Sequence, residues 1–337
     1  MSVDAFQHSP ITTRVKLGAC ALAALMAVGM GSGSLVRAQD ATPAASPTAM
    51  SCDAPALPPG APSTPGASPA AAMEMATPVP AAGATPVPAP AGTAADAAAG
   101  AEITATVENI VGCIAAGKPD SAVALMTPHY IKTQFGSDNP YDVVENLKGF
   151  AFADFTNSNP MTYADGGVSA DVQYMTSQTK YQLNSERWFF TKDGEYSKLD
   201  AQTFISASTD LDTAVVGVNL TQPEPGKYAI EPNRPSATVS PALVFHAINA
   251  GTEAHELIVF KLPAGKDAAG LLDGSIPQSD VEYIGGISPL APGQEGDLTL
   301  VNLPAGVYTM ACFFDGPDGK PHAANGMVAQ FEVTAAT

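Results

Sequence analysis

Pro304-Ala305-Gly306-Val307-Tyr308-Thr309-Met310-Ala311-Cys312 decides the fold of the C-terminal part of this chain. Pro304 and Gly306 open it as turn residues, and Val307–Phe313 then reads as a short apolar strand that delivers Cys312 near its end. His322 and Met327 follow in the next loop, and His255 lies upstream behind Asn249. A thiolate, two imidazoles and a thioether form a donor set that selects copper for one-electron transfer over zinc or magnesium. Taken singly, each residue also has a plain reading: an inert buried thiol, a core methionine and two loop histidines. A domain of the same architecture that is empty or structural therefore stays open beside the metal-loaded one.

Residues 212–337 have strand texture throughout. Ala214–Leu220, Tyr228–Ile230, Ala242–Ile248, Leu257–Leu262, Leu298–Val301, Val307–Phe313 and Met327–Val333 are short apolar or alternating runs separated by Pro, Gly, Asn or Asp. The stretch from Pro263 to Gly296 reads as a loop carrying a short helix near Asp267–Leu272. His246, inside a strand, reads as packing rather than as a ligand.

Tyr228-Ala229-Ile230-Glu231-Pro232, Val244-Phe245, Asn249 six residues before His255, and the Pro-x-Gly-x-Tyr lead into Cys312 together resemble a cupredoxin. The resemblance implies a mainly β chain whose C-terminal domain is a Greek-key β-sandwich holding one type 1 copper. His255 and His322 are then the imidazole ligands, Cys312 the thiolate and Met327 the axial thioether. It further implies a redox partner protein, reached through a His edge near the surface. Two departures stand out. The Cys-x9-His interval is nearer to the Cys-x8-His loop of copper nitrite reductases than to plastocyanin-like proteins, and Glu256 follows the first His where many cupredoxins carry Asn. A carboxylate there cannot donate the hydrogen bond that ties the two ligand loops together, and its charge favours Cu(II).

Residues 101–205 have a different texture. Ile103, Val107, Ile110, Val111 and Ile114 recur at helical spacing before Gly117 and Pro119, and a shorter helical stretch follows near Ser121–Met126. Val168, Ala170, Val172 and Tyr174 then alternate, and Asp193-Gly194 separates a Trp188–Phe190 strand from Tyr196–Leu199. Helices first and an antiparallel meander second is an α+β order. With Ala115–Asp120 and Leu125–Pro128, this resembles the NTF2-like (SnoaL-like) superfamily, which implies a curved sheet around a cone-shaped pocket. His129, Asp142, Asp154 and Tyr163 are its candidate acid–base groups, with no pairing recognisable from spacing.

Upstream, Arg14 and Lys16 precede an apolar run from Leu17 to Met30, and Val36-Arg37-Ala38 is a cleavage site, so residues 1–38 read as a signal peptide. Leu17-Gly18-Ala19-Cys20 begins the apolar run where a lipoprotein box should end it. Residues 39–100 are nearly all Ala, Pro, Ser, Thr and Gly, with Ala-Thr-Pro-Val-Pro at Ala76–Pro80 and again at Ala84–Pro88, and read as a disordered linker. Of four Cys, Cys20 leaves with the signal and Cys312 is spoken for, so Cys52 and Cys113 remain as a disulfide or as two free thiols.

A formal charge of −18 argues against nucleic acid. No stretch of the mature chain is long and apolar enough to span a membrane. Nucleotide, zincin, hydrolase and dithiol motifs are absent, and five His are too few for the further copper sites of an oxidase or nitrite reductase. The expectation is a secreted or surface-associated one-electron carrier in the periplasm or on the cell surface, not an enzyme. Two other classes stay open: a scaffold or copper-sequestering protein without redox turnover, and an enzyme in the NTF2-like pocket.

Overall fold

The structure, a computed structural model, describes residues 50–60, 92–177, 179 and 181–335. The signal segment 1–38 and most of the 39–100 linker lie outside these residues.

The first unit runs β1 (Thr93–Ala94), α1 (Ala97–Ala115), α2 (Pro119–Ala124), α3 (Pro128–Phe135), α4 (Pro140–Leu147), β2 (Phe152–Thr162), β3 (Val168–Thr176), β4 (Gln182–Asp193) and β5 (Tyr196–Phe204). Helix α1 starts inside the stretch read as linker. Asp96 caps it by accepting the N–H groups of Ala98 and Ala99 at 3.0 and 2.9 Å, and alanine, which resembles spacer by composition, is the strongest helix former once a cap and a partner surface exist. Its apolar stripe, Ile103, Val107, Ile110, Val111 and Ile114, is buried against Val172, Trp188, Phe190 and Leu199 of the sheet. Pro at the first position of α2, α3 and α4 starts each helix where its missing N–H costs nothing. Strands β2 to β5 form an antiparallel meander, and Gly194, at φ +66°, makes the β4–β5 turn. A disulfide joins Cys52 to Cys113 of α1.

The second unit comprises β6 (Thr213–Glu224), β7 (Lys227–Pro232), β8 (Ser236–Thr238), β9 (Ala242–Asn249), β10 (His255–Lys261), α5 (Ala268–Leu272), β11 (Glu282–Leu290), β12 (Glu295–Val301), β13 (Gly306–Ala311) and β14 (Val328–Thr334). One sheet runs β12-β9-β6-β7 and the other β11-β10-β13-β14-β8. Val216, Val218, Phe245, Leu298 and Leu300 of the first meet Leu257, Val259, Tyr308, Met310 and Phe331 of the second in a common core, each large side chain stabilising by about 1.5–3 kcal/mol.

Two further features differ from the sequence reading. The Pro263–Gly296 connection contains the full strand β11 beside the expected short helix. Gly285, Gly286 and Pro289 break the apolar alternation, yet a Cβ on Gly285 or Gly286 would meet Gln182, Leu298 or Ile258 within 2.7–3.1 Å. The two units are also hydrogen-bonded into one sheet. β12 pairs with β4 through Thr299–Leu183 and Leu300–Gln182, giving the order β1-β2-β3-β4-β12-β9-β6-β7 with β5 also on β4. The Gln182 amide closes the joint, donating to Gly286 O and accepting from Gly286 N, each at 3.1 Å.

Candidate metal centre

Strand parity brings the candidate ligands together. Tyr308 and Met310 point into the core from β13, so Cys312, one period later, also points inward; His255, Leu257 and Val259 do the same from β10. The β13–β14 register pairs Ala311 with Val328 and carries Cys312 opposite Met327, whose backbone oxygen accepts the Cys312 N–H at 3.2 Å. Directly opposed residues share a face, so the Met327 side chain, fully buried in the same core, lies on the Cys312 side. His322 comes from a 3-10 turn, His322–Asn325. Its N–H donates to Phe314 O at 2.9 Å and its carbonyl accepts from Met327 N at 3.0 Å, folding the loop back over the strand end.

His255, Cys312 and His322 are each 0% exposed, and their donor atoms lie within 4.8 Å of one another. The two Nδ1 atoms are 3.0 Å apart, and Cys312 Sγ is 3.5 Å from His322 Nδ1. A metal with bonds of about 2 Å to nitrogen and about 2.3 Å to thiolate sets its donors roughly this far apart. Two ring nitrogens at 3.0 Å cannot both present lone pairs unless a proton or cation lies between them, so the residues fit a metal. The size of the gap suits zinc as well as copper; the thiolate, imidazole and thioether set favours copper.

Burial sets the electrostatics. His255 is held down to about 4 by burial and then by His322, with Glu253 opposing; His322 is lowered by burial, again against Glu253. The Cys312 thiol is pushed up to about 12 by burial and then by Glu256. Without metal the site thus holds neutral imidazoles and a protonated thiol, and a cation must displace the thiol proton.

Glu256 behaves differently from the sequence expectation. Its carboxylate ties the two ligand segments together as an acceptor, taking the Phe313 N–H at 2.8 Å, while its own backbone N–H points at Cys312 Sγ at 3.4 Å. Burial pushes Glu256 up to about 7, with the Phe313 N–H opposing. Below about pH 6.5 unfolded histidines take up protons that the folded ones refuse, so His255 and His322 make stability rise as pH rises towards 6.5. Glu256 acts the other way: between about 4.5 and about 7 the folded chain keeps a proton that the unfolded chain has lost, and stability falls as pH rises. Glu256→Gln leaves only the histidine effect. The stability of the metal-free variant is expected to climb between about pH 4.5 and 6.5 more steeply than that of the parent, by up to about 1.4 kcal/mol per pH unit. Urea unfolding across that range checks this, and equal slopes would refute it.

Neither candidate ligand histidine has an edge at the surface, contrary to the sequence expectation. His322 Nε2 is 3.2 Å from Glu253 Oε2 and its ring is stacked 3.9 Å from Tyr228; His255 Nε2 is buried without a hydrogen-bond partner. The His255 ring lies where Gly251 has no side chain, since a Cβ there would be 2.5 Å from Nε2 and 3.0 Å from Cδ2. Gly251→Ala must displace the ring by more than the roughly 0.5 Å a working site tolerates. The expected result is at least about a tenfold loss of copper affinity with the far-ultraviolet circular dichroism unchanged.

The other sequence candidates disperse. His246 is not buried packing: it lies half-exposed on β9 with Nδ1 2.7 Å from Asp297. In the first unit His129 and Asp154 are exposed, Asp142 accepts from Ser137 at 2.7 Å, and Tyr163 is paired with Ser169 at 2.9 Å. Two acids of that unit are buried among the described residues: Glu186, which accepts from Tyr174 at 2.8 Å and Trp188 at 2.7 Å, and Asp171, paired with Arg187 at 2.6 Å. Glu253 went unrecognised in sequence because Gln222, Tyr228 and His322 are remote along the chain, and Glu186 because its burial and its Tyr174 partner depend on the neighbouring strand.

No family model matches the chain, and no curated protein matches it. Among solved structures, reduced auracyanin from Roseiflexus castenholzii is 20% identical over 36% of this chain and 97% of its own, with a TM-score of 0.24. Rusticyanin from Thiobacillus ferrooxidans is 16% identical over 36% of this chain and 77% of its own, with a TM-score of 0.26. A multicopper oxidase from Campylobacter jejuni is 12% identical over 49% of this chain and 43% of its own, with a TM-score of 0.24.

Proposed function

We propose that the C-terminal sandwich is a cupredoxin domain with one type 1 copper, ligated by His255, Cys312, His322 and Met327, and that the protein is a one-electron carrier outside the cytoplasm. The observation that carries this reading is the fully buried His255–Cys312–His322 group, with Met327 across the strand pair from Cys312. Bound there, copper supplies a Cu(I)/Cu(II) couple. The chain supplies a donor set anchored on two strands of a rigid sandwich and one short turn, which keeps its geometry as the charge changes. The Cys52–Cys113 disulfide supports an oxidising compartment, and no helix among the described residues is long and apolar enough to cross a membrane.

A second reading, copper sequestration without redox turnover, draws on the burial of both imidazoles, which leaves no ligand edge for a partner to touch. We read the first unit as an NTF2-like docking or ligand-binding module, supported by its four helices followed by an antiparallel meander.

The test is a Cu(II) titration of the mature chain, followed by visible absorption and by cycling with ascorbate and ferricyanide. The whole chain is required because a sandwich cut from β4 would expose the β12 edge. An intense thiolate-to-copper band saturating at one ion per chain, bleached and restored by the cycle, is the expected result. A band that does not cycle favours sequestration; no band leaves a scaffold.

A further inference from the structure

We propose that Glu253 is the positioning residue that holds His322 with Nδ1 toward the metal, a role resting on the copper reading above. Glu253 lies in the loop between β9 and β10, two residues before His255, and is 27% exposed. Its loop is fixed from below: Asn249 Nδ2 donates to Glu253 O at 2.8 Å and to Leu290 O at 2.7 Å, and Asn249 Oδ1 accepts the Gly251 N–H at 2.9 Å. The carboxylate is held by two further donors. Tyr228 Oη donates to Oε2 at 3.0 Å and Gln222 Nε2 to Oε1 at 3.0 Å. The remaining contact of Oε2 is His322 Nε2 at 3.2 Å.

An imidazole can carry its proton on either nitrogen, and a half-turn of the ring puts a carbon where a donor atom should be. A carboxylate facing Nε2 removes both ambiguities, because it accepts only from N–H and thereby leaves the lone pair on Nδ1. Tyr228 works from the ring face as well as through its hydroxyl. It is stacked on His322 at 3.9 Å with 21° between planes, and Gly316 closes the other approach, since a Cβ there would come within 3.1 Å of Tyr228 Oη and 3.2 Å of His322 Cδ2. The site is thus asymmetric: His322 Nε2 has a hydrogen-bond acceptor in Glu253, whereas His255 Nε2 has no partner and that edge of its ring is held by packing. The same carboxylate covers the imidazole edge that would otherwise face a partner.

The experiment uses the mature chain and the variants Glu253→Leu, which removes the acceptor, and Glu253→Gln, which keeps an acceptor without the charge. In the metal-free proteins, two-bond nitrogen–proton spectra of the histidine rings should show His322 as the Nε2–H tautomer in the parent and in Glu253→Gln, and as a mixture in Glu253→Leu. Copper affinity should fall about 10–100-fold in Glu253→Leu, recover largely in Glu253→Gln, and the reduction potential should rise in both. An unchanged tautomer together with unchanged affinity in Glu253→Leu overturns the proposal while a parent absorption band keeps the copper reading. A parent without that band sinks the copper reading, and the ring tautomer then decides the role of Glu253 by itself.

Discussion

Cys312→Ser is expected to abolish the thiolate-to-copper absorption band and to remove most of the pH dependence of copper binding. The thiol proton decides both effects. Burial and the nearby Glu256 push the Cys312 thiol up to about 12, so at neutral pH a cation binds only by expelling that proton. The histidines are lowered and already neutral there. Copper affinity of the parent should therefore rise about tenfold per pH unit between roughly pH 7 and 9, one proton leaving per ion. Serine has no group that ionises in this range, so its affinity should be nearly flat as well as much weaker. Competition titrations against a chelator at several pH values measure the slope. A slope surviving in Cys312→Ser would mean that the ion is not on the sulfur.

Replacing Cys52 and Cys113 with serine is expected to destabilise the first unit by about 4 kcal/mol, the chain-entropy value for a loop closed over 61 residues. In the folded chain the bond ties residues 50–60 to buried α1, where Met50, Cys52, Ala54 and Leu57 pack against the helical core. A midpoint about 8–16 °C lower follows if each kcal/mol is worth about 2–4 °C. The candidate metal centre lies in the other core, so the absorption band expected of the parent should be unaffected in the double variant at room temperature. Calorimetry with and without reductant checks this; a shift of a degree or two would show that the covalent link contributes little.

The four candidate ligands were legible in the sequence because each sits at a fixed offset from a local signal: Cys312 at a strand end after Pro304 and Gly306, His322 and Met327 in the loop beyond, His255 behind Asn249. The core stripe of α1 and ten of the strands were legible for the same reason, since side-chain periodicity is a property of neighbours along the chain. Strand β11 was not, because Gly285 and Gly286 answer to Gln182 and Ile258, residues of other strands. Nor was the helical start at Ala97, where alanine reads alike in a spacer and in a helix until Asp96 is seen to cap it. What could be read along the chain was thus the set of candidate ligands and the periodic stripes within the helical and the β-rich halves. Only the tertiary structure decided that β4 and β12 join those halves into one sheet, that Glu256 bridges the ligand segments as an acceptor, and that Glu253 and Tyr228 close over His322. Those contacts join backbone groups, which are alike at every residue, or side chains remote from their partners along the chain, and neither kind leaves a periodic trace in the chain.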